Sequence, residues 1–213
     1  WLAPLPGTNP GFLAQQNSLR DAIIAALNIN IFARHADRVR MTNIAQMVNV
    51  LQAMILTDGP KMLLTPTYHI FKMYLPFQDA TFVPVSFDAG TYTRGDITLP
   101  RIDAVAARDK AGKLWLAVTN VDPDRPASVS IKLPGKAGRT GRGQVLTAPR
   151  VDSVNSFDAP NVVTPKPFAG KANKAIAFDL SISARTVEVY RANAMMKMQA
   201  KTLSDLVRMA TII

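Results

Sequence analysis

The sequence predicts two architectures in succession. Residues 1–80 fit an α/β portion, the C-terminal end of an alternating (β/α)8 barrel, and residues 81–191 fit an all-β portion, an antiparallel β-sandwich. Three observations carry this reading. Apolar residues recur at helical spacing in the first third, they alternate with a period of two from about residue 81, and Gly, Pro or Asp turns separate the alternating runs. A helix, a short strand and a helix in that order suit the closing units of a barrel. Half-apolar strands joined by turns suit two packed sheets. The domain boundary is expected near Ala80, and residues 192–213 fit neither portion.

Each element follows from its residues. Residues 1–17 hold Pro4, Pro6, Gly7, Pro10 and Gly11 and read as a loop. Ser18 and Asp21 form an S-x-x-D capping box that can satisfy the free amides of a starting helix. Leu19, Ala22, Ile23, Ala26 and Leu27 then give one apolar face, which predicts a helix over 18–34. In the next stretch, HADRVRMTNIAQMVNVLQ over 35–52, Val39, Met41 and Asn43 alternate as in a strand, while Ile44, Met47, Val48, Leu51 and Ile55 repeat as in a helix. A strand running into a helical turn is expected there. Asp58-Gly59-Pro60 breaks the pattern, and a second helix over 66–79 begins at Pro66, a residue suited to a first helical position.

Beyond residue 80 the alternating runs are Val83 to Phe87, Leu114 to Val118, Val129 to Leu133, Ile176 to Leu180, and Val187 with Val189. The Gly-rich run GKAGRTGRG, residues 135–143, lacks the closing G-K-S/T of a phosphate loop and reads as a flexible hairpin loop. Near the end, Thr202 and Asp205 could cap a short helix with Leu203, Leu206, Val207 and Ala210 inward.

Composition bounds the function. The chain has 213 residues, 48% of them hydrophobic, enough for one large or two small domains with a buried core. With no initiator Met and no apolar leader, it is expected to start inside a longer protein or after processing. The longest apolar run, Ala22 to Phe32, is broken by Asn28 and Asn30 and is short for a membrane span. Absence of Cys rules out a disulfide framework and thiolate metal sites. The net charge of +10 is spread without a basic block, so nucleic-acid binding is not expected from it.

Acid–base chemistry is scarce. Glycoside hydrolysis by retention needs two carboxyl groups about 5 to 5.5 Å apart. The chain has a single Glu, Glu188, on the polar side of its strand and expected at the surface. Asp21 caps a helix, and Asp58, Asp122 and Asp124 sit in turns. His35 and Asp37 could be drawn as base and orienter, but no nucleophile stands near them in sequence, and a structural role is favoured. His69 lacks the partners of a zinc site. What remains is a row of amides, Asn43, Gln46, Asn49 and Gln52, suited to neutral polar ligands.

With the flanking NPGF, QQNSLRDA and ILTDGPKMLLTPTYHIFKMY, the 35–52 stretch resembles the C-terminal half of the α-L-arabinofuranosidases of glycoside hydrolase family 51, from about Trp1 to about Tyr190. LTPTYHIFKMY resembles the last barrel helix, and VNSFDAPNVVTP, residues 154–165, a segment of the family's jelly-roll-like C-terminal sandwich. In that family a Glu nucleophile precedes an aromatic pair, and Trp1-Leu2 matches the pair, with Leu2 departing from the usual Tyr. The resemblance therefore implies that both catalytic glutamates lie outside this sequence.

It implies two substrate contacts. Trp1 would stack on the furanose, and Gln46 would bond sugar hydroxyls from the end of the eighth barrel strand, where barrel sites lie. The implied substrates are arabinofuranosyl groups at the non-reducing ends of arabinan, arabinoxylan and smaller conjugates. No metal or organic cofactor, nucleic acid or membrane is implied, and the family's members commonly form homo-oligomers. Alone, this sequence is expected to be inactive. Two alternatives stand beside this reading: a carbohydrate-binding or assembly module using Trp115 and Tyr190 on the sandwich, and a nucleic-acid binder built on the 135–143 loop.

Overall fold

The computed structural model describes residues 7, 9, 16–131, 140–171 and 176–180. Trp1, Leu2, Glu188, Tyr190, the last predicted strand around Val187 and Val189, and the 192–213 tail lie outside the described residues.

The first helix, α1 (Leu19–Arg34), begins where its capping box predicts. The Asp21 carboxylate accepts from the Ser18 backbone N–H at 2.8 Å and from the Ser18 hydroxyl at 2.7 Å, anchoring the first turn. A hairpin follows, β1 (Ile55–Asp58) paired antiparallel with β2 (Lys61–Leu64). Gly59 turns it at φ 53°, the positive φ that tight hairpin turns require. Helix α2 (Pro66–Met73) is capped by the Thr65 hydroxyl. It is shorter than the predicted 66–79 and passes into a 3-10 turn over Leu75–Phe77. Pro76 explains the difference, since it has no N–H to continue the helical bonding.

The expected strand and helical turn in 35–52 are absent. Residues 39–54 are irregular apart from an isolated bridge between Val48 and Ile55. Asn49 at φ 61° and Leu51 at φ 55° stand in the left-handed region, which neither a helix nor a strand accommodates.

The remainder is antiparallel throughout its described strands. β3 (Thr81–Val83), β6 (Ile102–Arg108) and β7 (Leu114–Asn120) form one sheet in the order β3-β6-β7. Paired hairpin-like ladders join β4 (Thr91–Arg94) with β5 (Ile97–Pro100), β8 (Ala127–Ile131) with β11 (Ile176–Leu180), and β9 (Thr140–Leu146) with β10 (Pro165–Lys171). Thr140–Gly143 therefore belongs to a strand, which corrects the reading of 135–143 as loop alone; residues 132–139 are not described. Pro84 ends β3 earlier than the predicted run to Phe87, because it cannot donate to the ladder.

The core lies where the two portions meet. Ala22 and Ala26 of α1 pack on Ile70 of α2, with Tyr74 and Leu146 alongside, and Leu19 packs on Ala148 and Val163. On β6, Ala104, Val105, Ala106 and Ala107 are buried, and their small side chains leave room for α1 to approach that strand. Asp103 beside them accepts from Asn30 and Arg34, each at 2.8 Å, fastening helix to sheet.

Candidate functional site

Gln46 is exposed in the irregular stretch, and among the described residues no hydrogen bond holds its side-chain amide. The Ala45–Gln46 peptide bond is cis. On the C-terminal side the backbone is fixed to the hairpin: the Ile55 N–H donates to the Met47 carbonyl at 3.0 Å, and the Asn49 N–H donates to the Ile55 carbonyl at 3.0 Å. The Asn49 side chain then closes on Thr57 in two directions. Its amide donates to the Thr57 hydroxyl at 2.8 Å, and its carbonyl accepts from the Thr57 N–H at 2.7 Å. An Asn suits this position doubly, since it tolerates φ 61° and its short amide reaches both groups.

Buried amides hold the hairpin from behind. The Asn17 amide donates to the Ala53 carbonyl and to the Thr67 hydroxyl, both at 3.0 Å, tying the residue before the Ser18 cap of α1 to the start of α2. Asn155 donates to the Leu64 carbonyl at 3.0 Å and to the Val163 carbonyl at 2.9 Å, and accepts from the Val163 N–H at 2.7 Å. Gln16 donates to the Asn155 carbonyl, and Leu19 and Arg20 N–H groups donate to Ser153 and Val151. A segment from the strand-rich portion is thus stitched to the entrance of α1 and the end of β2. Burial makes these bonds costly to break, because each freed group would lose water as well as partner.

The predicted row of amides is split by the structure. Asn43 and Gln46 face solvent, Asn49 is engaged with Thr57, and Gln52 is half-buried. Trp1 lies outside the described residues, so its distance from Gln46 is not part of this geometry. His35 closes α1 as its C-cap residue and is exposed, as is Asp37. His69 is buried beside Tyr68; burial first, and then Lys72, lower its pKa, which favours a neutral imidazole. Among the described residues no cluster of His, Asp or Glu could hold a metal ion.

Two further groups have structural partners. Burial raises the Tyr74 pKa well above the usual phenol range, so its hydroxyl stays protonated and donates to Asn30 at 2.6 Å. Trp115, the candidate sugar platform of the sandwich, donates to the Asp109 carboxylate at 2.8 Å and carries Lys113 at 3.7 Å from its ring centroid. One face of the indole is therefore already taken by a cation.

Sequence reasoning did not find Thr57, Asn17 or Asn155 as fixed points. Asn155 lies in the 154–165 segment that carries part of the resemblance, but nothing in that pattern gives its partners. The others depend on partners far along the chain.

Comparison with known proteins gives this geometry its context. The family model described as the alpha-L-arabinofuranosidase C-terminal domain matches residues 1–185. An intracellular exo-alpha-L-arabinofuranosidase of Bacteroides ovatus is 43% identical over 169 residues, covering 79% of this chain and 33% of that protein. The crystal structure of the family 51 arabinofuranosidase from Xanthomonas axonopodis pv. citri aligns with a TM-score of 0.79 at 52% identity, covering 84% of this chain and 37% of that one. The chain thus spans about a third of the length of these relatives.

The end of the chain is similar to something else. A second family model, the luxR family of bacterial regulatory proteins, matches residues 167–210, overlapping the first over 167–185. The transcriptional regulatory protein FixJ of Azorhizobium caulinodans is 67% identical over 43 residues, 20% of this chain. Since the arabinofuranosidase match takes in residues 1–185 and a relative above 40% identity covers most of the chain, the protein belongs to the alpha-L-arabinofuranosidase C-terminal domain family of glycoside hydrolase family 51.

Proposed function

We propose that this chain is the C-terminal, non-catalytic part of a retaining exo-acting α-L-arabinofuranosidase. Residues 1–80 close a (β/α)8 barrel, residues 81–191 form the sandwich that supports it, and Trp1 and Gln46 contact the terminal arabinofuranosyl group. The observation that carries the reading is the 52% identity to a family 51 enzyme over 84% of the chain. Its chemistry agrees: the resemblance places both catalytic glutamates outside this sequence, and the one Glu present cannot serve as both. An exposed amide with free donor and acceptor is suited to paired sugar hydroxyls, and it can bind them without ionising.

The test is hydrolysis. The purified 213-residue chain should release no nitrophenol from an aryl α-L-arabinofuranoside above the buffer rate. Release above buffer would overturn the non-catalytic assignment.

A second reading applies to the end of the chain alone and is carried by the match over residues 167–210. There the chain would bear an added regulatory unit like that of FixJ. Binding of the chain to duplex DNA, falling steeply with salt, would support it. No binding at low salt would remove it and leave the expectation of no nucleic-acid partner standing.

A further inference from the structure

We propose that Asn49 is a positioning residue for Gln46: its side chain locks the stretch that presents Gln46 onto strand β1. Any consequence for sugar rests on the reading of Gln46 given above. Gln46 has no side-chain bond of its own among the described residues, so its placement depends on the backbone that carries it. That backbone is held at Met47 and Asn49, both bonded to Ile55. Two backbone bonds to one residue leave a pivot, about which the stretch can rotate. The Asn49 amide removes that freedom by reaching two residues further along β1, to both the N–H and the hydroxyl of Thr57.

The chain carries the lock across the molecule. Ile55 pairs with Leu64 on β2, and the Leu64 carbonyl accepts from buried Asn155 of the strand-rich portion. Gln46 is therefore referenced to the fixed interior through Asn49, Ile55, Leu64 and Asn155. Asn49 is the exposed member of this series, so it can be altered without opening the core.

The experiment is amide hydrogen exchange on the intact chain, without sugar, for Asn49→Gly and Thr57→Val. Glycine keeps the positive φ at no steric cost and deletes only the side chain; valine deletes the hydroxyl and keeps the N–H. Asn49→Gly should speed exchange at the amides of residues 49 and 55 by about tenfold, the size expected for the loss of a modest hydrogen bond. Thr57→Val should give a smaller change in the same direction, and the melting temperature of both variants should stay close to that of the parent. Unchanged exchange at residues 49 and 55 in both variants would overturn the proposal. If Asn49→Gly fails to fold, Thr57→Val decides alone. In parallel, the Gln46 side-chain resonance should shift with methyl α-L-arabinofuranoside in the parent and respond less in Asn49→Gly. Absence of that shift in the parent would refute the sugar role of Gln46, while the exchange result would still decide the role of Asn49.

Discussion

The region from α1 to α2 and the region from β3 onward hold themselves together by different means. The strand-rich region relies on antiparallel ladders, with the Ala-rich β6 at the centre of the three-stranded sheet β3-β6-β7. The helical region has few ladders of its own. It is fastened by buried amides, Asn17 and Asn155, that span tens of residues in sequence. A ladder distributes its stability over many equivalent bonds, so one loss is tolerated; an amide bolt concentrates it in a single side chain. The region that presents Gln46 is thus the one most exposed to single substitutions.

That contrast can be broken most severely at Asn155. Asn155→Ala removes bonds to Leu64 and Val163 and leaves buried backbone groups without partners. It should cost about 3 kcal/mol in urea unfolding. Val105→Ala, in the middle of β6 and 1% exposed, should cost about 2 kcal/mol by leaving a small cavity. The ladder around it should persist, so exchange near Gln46 should not change. If Val105→Ala proves the more damaging, the contrast between bolts and ladders is wrong.

Smaller effects sharpen the seam between the regions. Arg34 and Asp103 pair at 2.8 Å with the Arg side chain 36% exposed, so Arg34→Met should cost about 1 kcal/mol or less, and the cost should shrink in high salt. The least effect is expected from pH. The folded chain lowers the His69 pKa below the ordinary 6.5. The unfolded state then binds the proton more readily, so this contribution to stability is full above pH 6.5 and is lost as pH falls through the folded value. His69→Phe should flatten the stability profile there. For Asp122, burial opposes ionisation, but the N–H groups of Asp124 and Arg125 and the Arg125 side chain outweigh it and lower the pKa below 3.8. Its contribution is present above that value and is lost only in stronger acid.

The sequence carried much of this, unevenly. α1 was legible because Ser18, Asp21 and the apolar spacing agree, and local signals sufficed. β7 and β8 were legible because their alternation is regular. The 35–52 stretch has an apolar spacing that imitates a strand and a helical turn, whereas Asn49 and Leu51 adopt positive φ where the stretch meets the hairpin. The hairpin itself was hidden, since only Asp58-Gly59-Pro60 marked it and its strands are four residues each. Gln46 stands out in the sequence only through a resemblance, and the bonds of Asn49 to Thr57 and of Asn155 to Leu64 join tertiary partners that no local pattern encodes.

The proposed role of the chain is to contribute a held amide to an arabinofuranosyl site, with no catalysis of its own. Nuclear magnetic resonance of the isotope-labelled chain during titration with methyl α-L-arabinofuranoside tests this most directly. Shifts confined to the Trp1 indole, the Gln46 amide and their immediate neighbours, lost in Gln46→Ala, are the expected result. Shifts clustered instead around Trp115 on the sandwich, with Gln46 silent, would contradict it.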